Sequence, residues 1–463
     1  MDKAAREALA RAAGPANLDA SKAGREAYSY DATGHRHPPE AVVRAVDTEQ
    51  VARVLAACTA HRVPLVPRGA GSGLTGGALA VAGGVVLDMA GLSRIVEIRP
   101  ADQVAVVEPG VVTADLQAAA EVRGMFYPPD PASVGFCTVG GNLAENAGGL
   151  RAVKYGVTRD YVLGITAVLP DGRVFTTGGA NLKSVVGYDL TRLLVGSEGT
   201  LAVITRAVLR LLPLPEAKAT VSAFFGRLDG AADGVRAVMA SGIRPVACEF
   251  MDGPSLRAVE SYAGLGLPEG AAAMILVEMD GPPEVVERQA GQAARLLAEA
   301  GGEPVHRAAD RAEAERLWKA RRAAGPALFG MAPAKLNEDV AVPLGSLAAM
   351  VERIHQVAER RGLDIPVFGH AGDGNLHVNI LFDPAREGAE HQAHQAVSDI
   401  FAGVLKMGGT LSGEHGVGTA KLGYVGAELD PVALGLMRGI KQVFDPAGIL
   451  NPHKSLPGPE VAA

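Results

Sequence analysis

Between Val66 and Gly77 the chain reads VPRGAGSGLTGG, and the residues just beyond this stretch limit the possible folds more than its glycines do. Gly71, Gly73 and Gly76 have the GxGxxG spacing of a dinucleotide-binding turn. A doubly wound nucleotide fold needs a helix directly after the third glycine, because the N-terminus of that helix carries the pyrophosphate. Here Gly76 is followed by GALAVAGG and then by the apolar run VVLD. Eight residues holding three glycines cannot supply a crossover helix. Asp88 lies at a suggestive distance from Gly71, but the structure between them is the wrong kind. No Gly-Lys-Ser/Thr follows, so the loop is not that of a P-loop NTPase either. A tight structural turn and an anion-binding nest of main-chain N–H groups both remain open for these glycines.

The surrounding pattern is mixed α/β. AVVRAV, VPLVPRG, GGVVLDM and VAVVEPG read as strands, and TEQVARVLAACTAHR as a helix. VTADLQAAAEVRG reads as a helix with Thr113 as N-cap and Gly124 as stop. From 133 to 160 periodicity fails and a long loop is expected. YVLGITAVLPDGRVFTT predicts a hairpin turning at Asp171-Gly172, and Pro213 and Pro215 mark a domain boundary. Helical and strand-like runs then alternate to about 428.

With 463 residues there is room for two or three domains. Only 4% of residues are aromatic, so the core must rest on Ala, Val and Leu. A net charge of -7 with no long basic run argues against a nucleic-acid partner. Cys58, Cys137 and Cys248 form no CxxC, which speaks against a zinc ribbon, a disulfide framework or an internal iron–sulfur relay. The charged N-terminus lacks a signal-peptide core, and no run approaches the length of a membrane span. A cytoplasmic location is expected, with peripheral attachment to a membrane complex left open.

Further glycine-rich segments tip the balance toward a ligand. PPDPASVGFCTVGGNLAENAGG and GSEGTLAVIT repeat the same economy of side chains. Several such loops in one domain suit one long ligand lying against several stretches of backbone. Together, PRGAGSGLTGG, YPPDPAS, CTVGGNLAENAGG, KYGVTRDYVLG and VGSEGTLAVIT resemble the FAD domain of the vanillyl-alcohol oxidase/p-cresol methylhydroxylase fold. GHAGDGNLHVN, LSGEHGVG and FDPAGILNPHK are similar to its D-2-hydroxyacid dehydrogenase branch: D-lactate dehydrogenases, glycolate oxidase FAD subunits and D-2-hydroxyglutarate dehydrogenase.

This resemblance, spanning about 40 to 454, implies an α+β (mixed α/β) architecture. Its expected parts are a helical leader (1–36), an FAD-binding domain (37–215), an antiparallel-sheet substrate or cap domain with helices (216–428), and a C-terminal segment returning to the FAD domain (429–463). It implies FAD contacts from Arg68, Gly69, Ala70, Gly71, Ser72, Thr75 and Gly76 in the first loop. Pro131, Ser133, Thr138, Gly140, Gly141, Asn142, Asn146, Gly148, Gly149, Tyr155 and Gly156 would come next, then Glu198, Gly199, Val203, Ile204 and Asn451. No histidine stands where covalent members link the flavin, so FAD is expected to be bound non-covalently.

VFGHAGDGNLHVNILF can be read without any family: two strands around a turn at Gly372-Asp373-Gly374. His377 and Asn379 share one face of the second strand, and Leu376, Val378 and Ile380 the other. His370 ends the first strand, so the two imidazoles can meet, and GEHGVG adds Glu414 and His415. A catalytic metal and a pair of hydrogen-bonded core histidines both fit that spacing. The resemblance implies a divalent ion, zinc, on His370, His377 and Glu414, with His415 as catalytic base and Asn379 beside it. Hydride would pass to flavin N5. His306, His355, His391 and His394 read as surface or packing residues.

WKARRAAGPALFG would supply Arg321 for the substrate carboxylate, against a plain solvated helix face. Hydroxyglutarate enzymes carry a threonine where Gly325 stands and a lysine where Asn337 stands. Lys335 is the nearest substitute. The expectation is therefore a small monocarboxylate, glycolate or D-lactate, with D-2-hydroxyglutarate kept as an alternative. A metal-dependent hydrolase with merely structural glycine loops and a non-catalytic flavin subunit are the rival readings. The electron acceptor would be a quinone, a cytochrome, an electron-transfer flavoprotein or an iron–sulfur subunit, and a homodimer is compatible with the chain.

Overall fold

Strands among the described residues pair into four sheets. The computed structural model describes residues 1–458, which divide into two compact units. One holds Met1–Gly148, Val157–Leu214 and Glu414 onward; the other holds Gly149–Gly156 and Pro215–Gly413.

After a helix (Lys3–Ala13), the first unit forms a sheet of β1 (Leu18–Asp19), β2 (Ala41–Arg44), β3 (Leu65–Arg68) and β4 (Val85–Asp88), arranged β1-β2-β4-β3. Strands β2, β4 and β3 run parallel, and every residue of β4 is buried. A parallel strand covered on both faces reads as an unbroken apolar run, which is why VVLD shows no alternation. The crossover helix Thr48–Ala60 starts on the Asp47 side chain, which accepts from Gln50 N at 2.6 Å, and buries Val51, Val54 and Leu55. Leu9, Val43, Leu65, Val85 and Leu87 complete that core.

The second sheet is antiparallel. It comprises β5 (Ile95–Arg99), β6 (Val104–Val107), β8 (Val162–Val168), β9 (Val174–Gly178) and β10 (Val203–Arg210), in the order β5-β6-β10-β8-β9. The β8–β9 hairpin turns at Asp171-Gly172 as expected. Short strands β7 (Met125–Phe126) and β11 (Leu212–Pro213) pair with each other.

Two local expectations change. Thr113 does not cap its helix but is its first residue, and Val112 stands at the cap position without a side-chain bond. The Thr113 hydroxyl is buried and accepts from Asn142 Nδ2 at 2.8 Å, so it braces the glycine-rich region. The expected loop at 133–160 contains a helix, Val139–Glu145, with Thr138 Oγ1 accepting from Gly141 N at 3.3 Å. Its glycines hide the helical period because they serve close approach. A Cβ on Gly140 would lie 2.5 Å from Pro109 Cβ.

The second unit is built on a seven-stranded antiparallel sheet. Its strands are β12 (Ala217–Phe225), β13 (Ala247–Asp252), β14 (Ala273–Gly281), β15 (Gly302–Arg307), β16 (Ala334–Ala341), β17 (Val367–His370) and β18 (Asn375–Phe382). They lie in the order β15-β12-β14-β13-β17-β18-β16. Helices Gly253–Ala263 and Arg311–Ala327 pack on the face carrying Phe224, Ala247, Met251, Met274, Leu276 and Phe368. The architecture is thus mixed α/β with an antiparallel second half. No helix among the described residues is long and apolar enough to cross a membrane.

Candidate functional site

In the first unit, the loop after β3 lines a cavity of about 420 Å³. Arg68, Gly69, Ala70, Gly71 and Ser72 form one wall. Pro131, Ser133, Thr138, Gly140, Gly141, Asn142 and Gly148 form another, and Glu198, Gly199, Val203 and Ile204 a third. Glu414 and His415 line the same cavity. Gly71 has φ +69°, a left-handed conformation that suits glycine, and a Cβ on Gly69 would lie 2.3 Å from Thr138 Oγ1. Among the described residues, the amides of Gly71, Ser72 and Gly73 donate to no protein acceptor. Arg68 Nη2 donates to Tyr30 O at 2.8 Å, while Nη1 is sealed from solvent without a hydrogen-bond partner. Burial pulls the Arg68 pKa below its usual value, against the opposing pull of Asp31, Tyr28 and Asp88. A buried cationic donor beside unsatisfied amides is suited to a phosphate group, so these residues fit an FAD pyrophosphate.

Other residues expected at the cofactor brace these loops. Thr75 Oγ1 donates to His415 O at 3.2 Å, and Thr75 O accepts from Thr419 N at 2.8 Å. Gly76, at φ +84°, lies against Thr419. Asn451 Nδ2 donates to Gly77 O and Glu198 O at 3.0 and 2.7 Å, tying the C-terminal segment to two of the loops. Asn146 ends the helix Val139–Glu145 in the left-handed region, and its Oδ1 accepts from Arg159 N at 2.9 Å. Gly149, Tyr155 and Gly156 belong to the second unit, where Tyr155 Oη donates to Asp280 Oδ2 at 2.9 Å.

One ionisable cavity residue escapes sequence reasoning. Glu145 lines the wall, and its Oε2 is sealed from solvent without a hydrogen-bond partner. Burial pushes this carboxyl well above its usual range, and the neighbouring Glu198 adds to the shift. Glu198 is also raised by burial but is held back by amide donors, Val417 N at 2.8 Å and Gly418 N at 2.7 Å. Burial lowers nearby Lys454 to about 8, although Glu198, Asp31 and Glu145 oppose it.

In the second unit, a polar line crosses four neighbouring strands of one sheet face. Glu249 on β13 stands opposite His370 on β17, Phe368 opposite His377 on β18, and His377 opposite Asp339 on β16. Antiparallel partners point to the same side, so these residues share a face. Leu376, Val378 and Ile380 are buried on the other face, as the alternation requires. His370 and His377 are both buried, with Nε2 atoms 3.4 Å apart. His370 Nδ1 meets Glu249 Oε1 at 2.7 Å, and His377 Nδ1 lies 3.9 Å from Asp339 Oδ1. Each ring thus turns one nitrogen toward a carboxylate and the other toward the second ring. A tetrahedral ion with Zn–N bonds of ~2.0–2.1 Å would separate two ligand nitrogens by ~3.4 Å, so the pair fits such an ion.

Arg321, from the helix Arg311–Ala327, joins this line. Its Nε donates to Glu249 Oε2 at 2.6 Å, and its guanidinium lies 4.8 Å from the centre of the Phe368 ring. Burial alone would raise Glu249, but His370 and Arg321 outweigh it and hold the carboxylate below its usual range. Asn379 accepts from Asn337 Nδ2 at 2.9 Å. Lys335 sits 4.9 Å from the Phe329 ring centre, and burial lowers its pKa. His355 pairs with buried Asp252 at 2.8 Å and His306 with Glu313 at 2.8 Å. Glu249, like Glu145, is a residue that sequence reasoning passed over; its signal was a lone carboxylate in the apolar run VACEFM.

Two family models match the chain: an FAD-binding domain over residues 39–178, and the C-terminal domain of FAD-linked oxidases over 214–455. The glycolate oxidase subunit GlcD of Bacillus subtilis is 44% identical over 98% of this chain and 97% of its own length. GlcD of Escherichia coli K12 is 37% identical over 92% of this chain and 85% of its own. A D-lactate dehydrogenase of Anaerostipes hadrus is 36% identical over 90% of this chain and 89% of its own. The solved structure of p-cresol methylhydroxylase with substrate bound superimposes with a TM-score of 0.79 at 18% identity, covering 97% of this chain and 96% of that one. At that identity it shows the fold alone.

Proposed function

Because this chain belongs to the FAD-linked oxidase family and is an FAD-dependent oxidoreductase, we propose that it oxidises a small D-2-hydroxy acid, glycolate or D-lactate, to the 2-oxo acid. The observation that carries this reading is the buried line Arg321–Glu249–His370 with His377 facing His370 at 3.4 Å. It supplies a carboxylate-binding cation and two nitrogen ligands on one sheet face. The names of the relatives, glycolate oxidase and D-lactate dehydrogenase, agree with it.

In this reading Arg321 binds the substrate carboxylate through its outer guanidinium nitrogens, since Nε is already bonded to Glu249. His370 and His377, with Glu414 as the resemblance implies, would hold a divalent ion, for which zinc suits the donor set. His415 takes the proton of the C2 hydroxyl, a task suited to an imidazole near neutral pH. Lys335 and Asn379 complete the substrate surroundings. When bound, FAD supplies the hydride acceptor at N5 and the ion supplies Lewis acidity toward the hydroxyl. The glycine loops and Arg68 hold FAD without a covalent link. The electron acceptor would be a quinone, a cytochrome, an electron-transfer flavoprotein or an iron–sulfur subunit.

Asn337 and Gly325 offer no charge for a second carboxylate, which favours a monocarboxylate over D-2-hydroxyglutarate. The test is anaerobic bleaching of the flavin absorbance by D- and L-2-hydroxy acids, with and without chelator. Rapid bleaching by glycolate or D-lactate, slowed by chelation and restored by zinc, is expected. Bleaching by L-acids alone, or by none of the panel, overturns the assignment.

A further inference from the structure

Glu249 touches two residues that have different tasks in the proposed oxidation. One carboxylate oxygen faces His370 Nδ1 at 2.7 Å and the other accepts from Arg321 Nε at 2.6 Å. Glu249 is buried, and its strand position directly opposite His370 fixes the approach. We propose that Glu249 is a positioning residue that sets the tautomer of His370, holding the proton on Nδ1 and leaving Nε2 as an electron-pair donor, while the same carboxylate anchors Arg321. This rests on the metal reading and adds a residue to it.

The chemistry is one of donors and acceptors. An ionised carboxylate only accepts, so both neighbours must donate to it. Arg321 always donates. The neutral imidazole can satisfy Glu249 only by carrying its proton on Nδ1. Its Nε2, 3.4 Å from His377 Nε2, then has a lone pair for an ion. A purely structural ion pair would need Arg321 and Glu249 but would leave the choice of nitrogen on His370 without consequence.

The substitution Glu249→Gln separates these roles. A glutamine has one accepting and one donating end. Its oxygen must face Arg321, which turns its NH2 toward His370 Nδ1. That nitrogen must then accept, and the proton moves to Nε2, where it blocks the ion. Zinc affinity of FAD-loaded E249Q, read by chelator competition, is expected to fall by about 10- to 100-fold. In the double variant E249Q/R321M the glutamine oxygen is free to turn to His370, and zinc affinity is expected to return toward the wild-type value. A carboxylate lost for structural reasons would not be rescued by removing a second buried residue.

The tautomer itself is read independently of any metal, by the 15N shifts of labelled histidine in chelator-treated, FAD-loaded protein at alkaline pH, with His370→Gln used for assignment. Wild type is expected to show the Nδ1–H form at His370 and E249Q the Nε2–H form. An Nε2–H form in wild type, or an unchanged tautomer and unchanged zinc affinity in E249Q, overturns the inference. Wild type that shows the Nδ1–H form yet takes up no zinc overturns the metal reading and leaves the role of Glu249 in setting the tautomer standing.

Discussion

The Nε2 atoms of His370 and His377 face one another at 3.4 Å across the β17–β18 hairpin, with a carboxylate behind each ring. Two neutral imidazoles presenting lone pairs at that distance repel, so the pair suits either a shared ion or a shared proton. The ion predicts about one zinc per chain after purification. His370→Gln or His377→Gln is expected to remove most of it and to lower turnover by about 100-fold or more, the scale of losing a principal electrostatic element of catalysis. Elemental analysis beside dye-reduction assays measures both. Full turnover in metal-free protein would assign the pair to a shared proton.

Arg68 carries a second prediction. Its Nη1 is buried without a hydrogen-bond partner beside the glycine loop. A charged hydrogen bond contributes about 1.5–3 kcal/mol, so Arg68→Met is expected to weaken FAD binding by about 10- to 100-fold. Fluorescence titration of the stripped protein with FAD gives the affinity. The rise in Tm on adding FAD is expected to shrink in step. Equal FAD affinity in the two proteins would detach Arg68 from the cofactor.

Glu145 gives a dependence on pH. Burial and then Glu198 raise its carboxyl in the folded chain. A carboxyl raised on folding must bind a proton that the unfolded chain has lost, so its cost is absent below the unfolded value. The cost grows by about 1.4 kcal/mol per pH unit above that value, until the folded pKa is reached. Glu145→Gln carries no such cost. In FAD-stripped protein, E145Q is expected to melt above wild type at pH 7, with the difference closing toward about pH 4.5, the ordinary range of a glutamate. Melting curves across that range decide it. A gap that widens on acidification would mean that Glu145 is ionised in the folded chain.

How much of this was legible depended on whether a residue's task leaves a pattern along the chain. The missing helix after Gly76 ruled out a doubly wound fold and is absent from the structure, where β4 is the next regular element. The alternation in LHVNILF placed His377 opposite Leu376 and Val378 before any coordinate did. Thr113 looked like a cap because hydroxyls at helix starts usually are caps; its bond to Asn142 joins residues far apart in sequence, which local pattern cannot show. The helix Val139–Glu145 was hidden because its glycines serve contact with Pro109 and not propensity. Glu249 and Glu145 were passed over for the same reason: a single carboxylate has no period, and its meaning lies in partners such as Arg321, His370 and Glu198.

Arg321 allows stability and recognition to be separated. Its Nε is bonded to buried Glu249 at 2.6 Å, and its guanidinium lies 4.8 Å from the Phe368 ring centre. Replacing it with methionine would leave a buried carboxylate with only His370, and removing one partner of a buried pair costs about 3–5 kcal/mol. Arg321→Met is therefore expected to melt well below wild type. Arg321→Lys keeps the positive charge near Glu249 but loses the planar fork that grips a carboxylate through two nitrogens. It is expected to fold with a modest loss in Tm and to raise KM for the hydroxy acid by about 10- to 100-fold, with kcat changed less, since carboxylate binding is shared by ground and transition states. Melting curves and steady-state kinetics on the two variants test this together. A lysine variant with unchanged KM would confine Arg321 to holding Glu249, and the substrate carboxylate would then have to be bound by another residue of this unit, with Lys335 the next to be substituted.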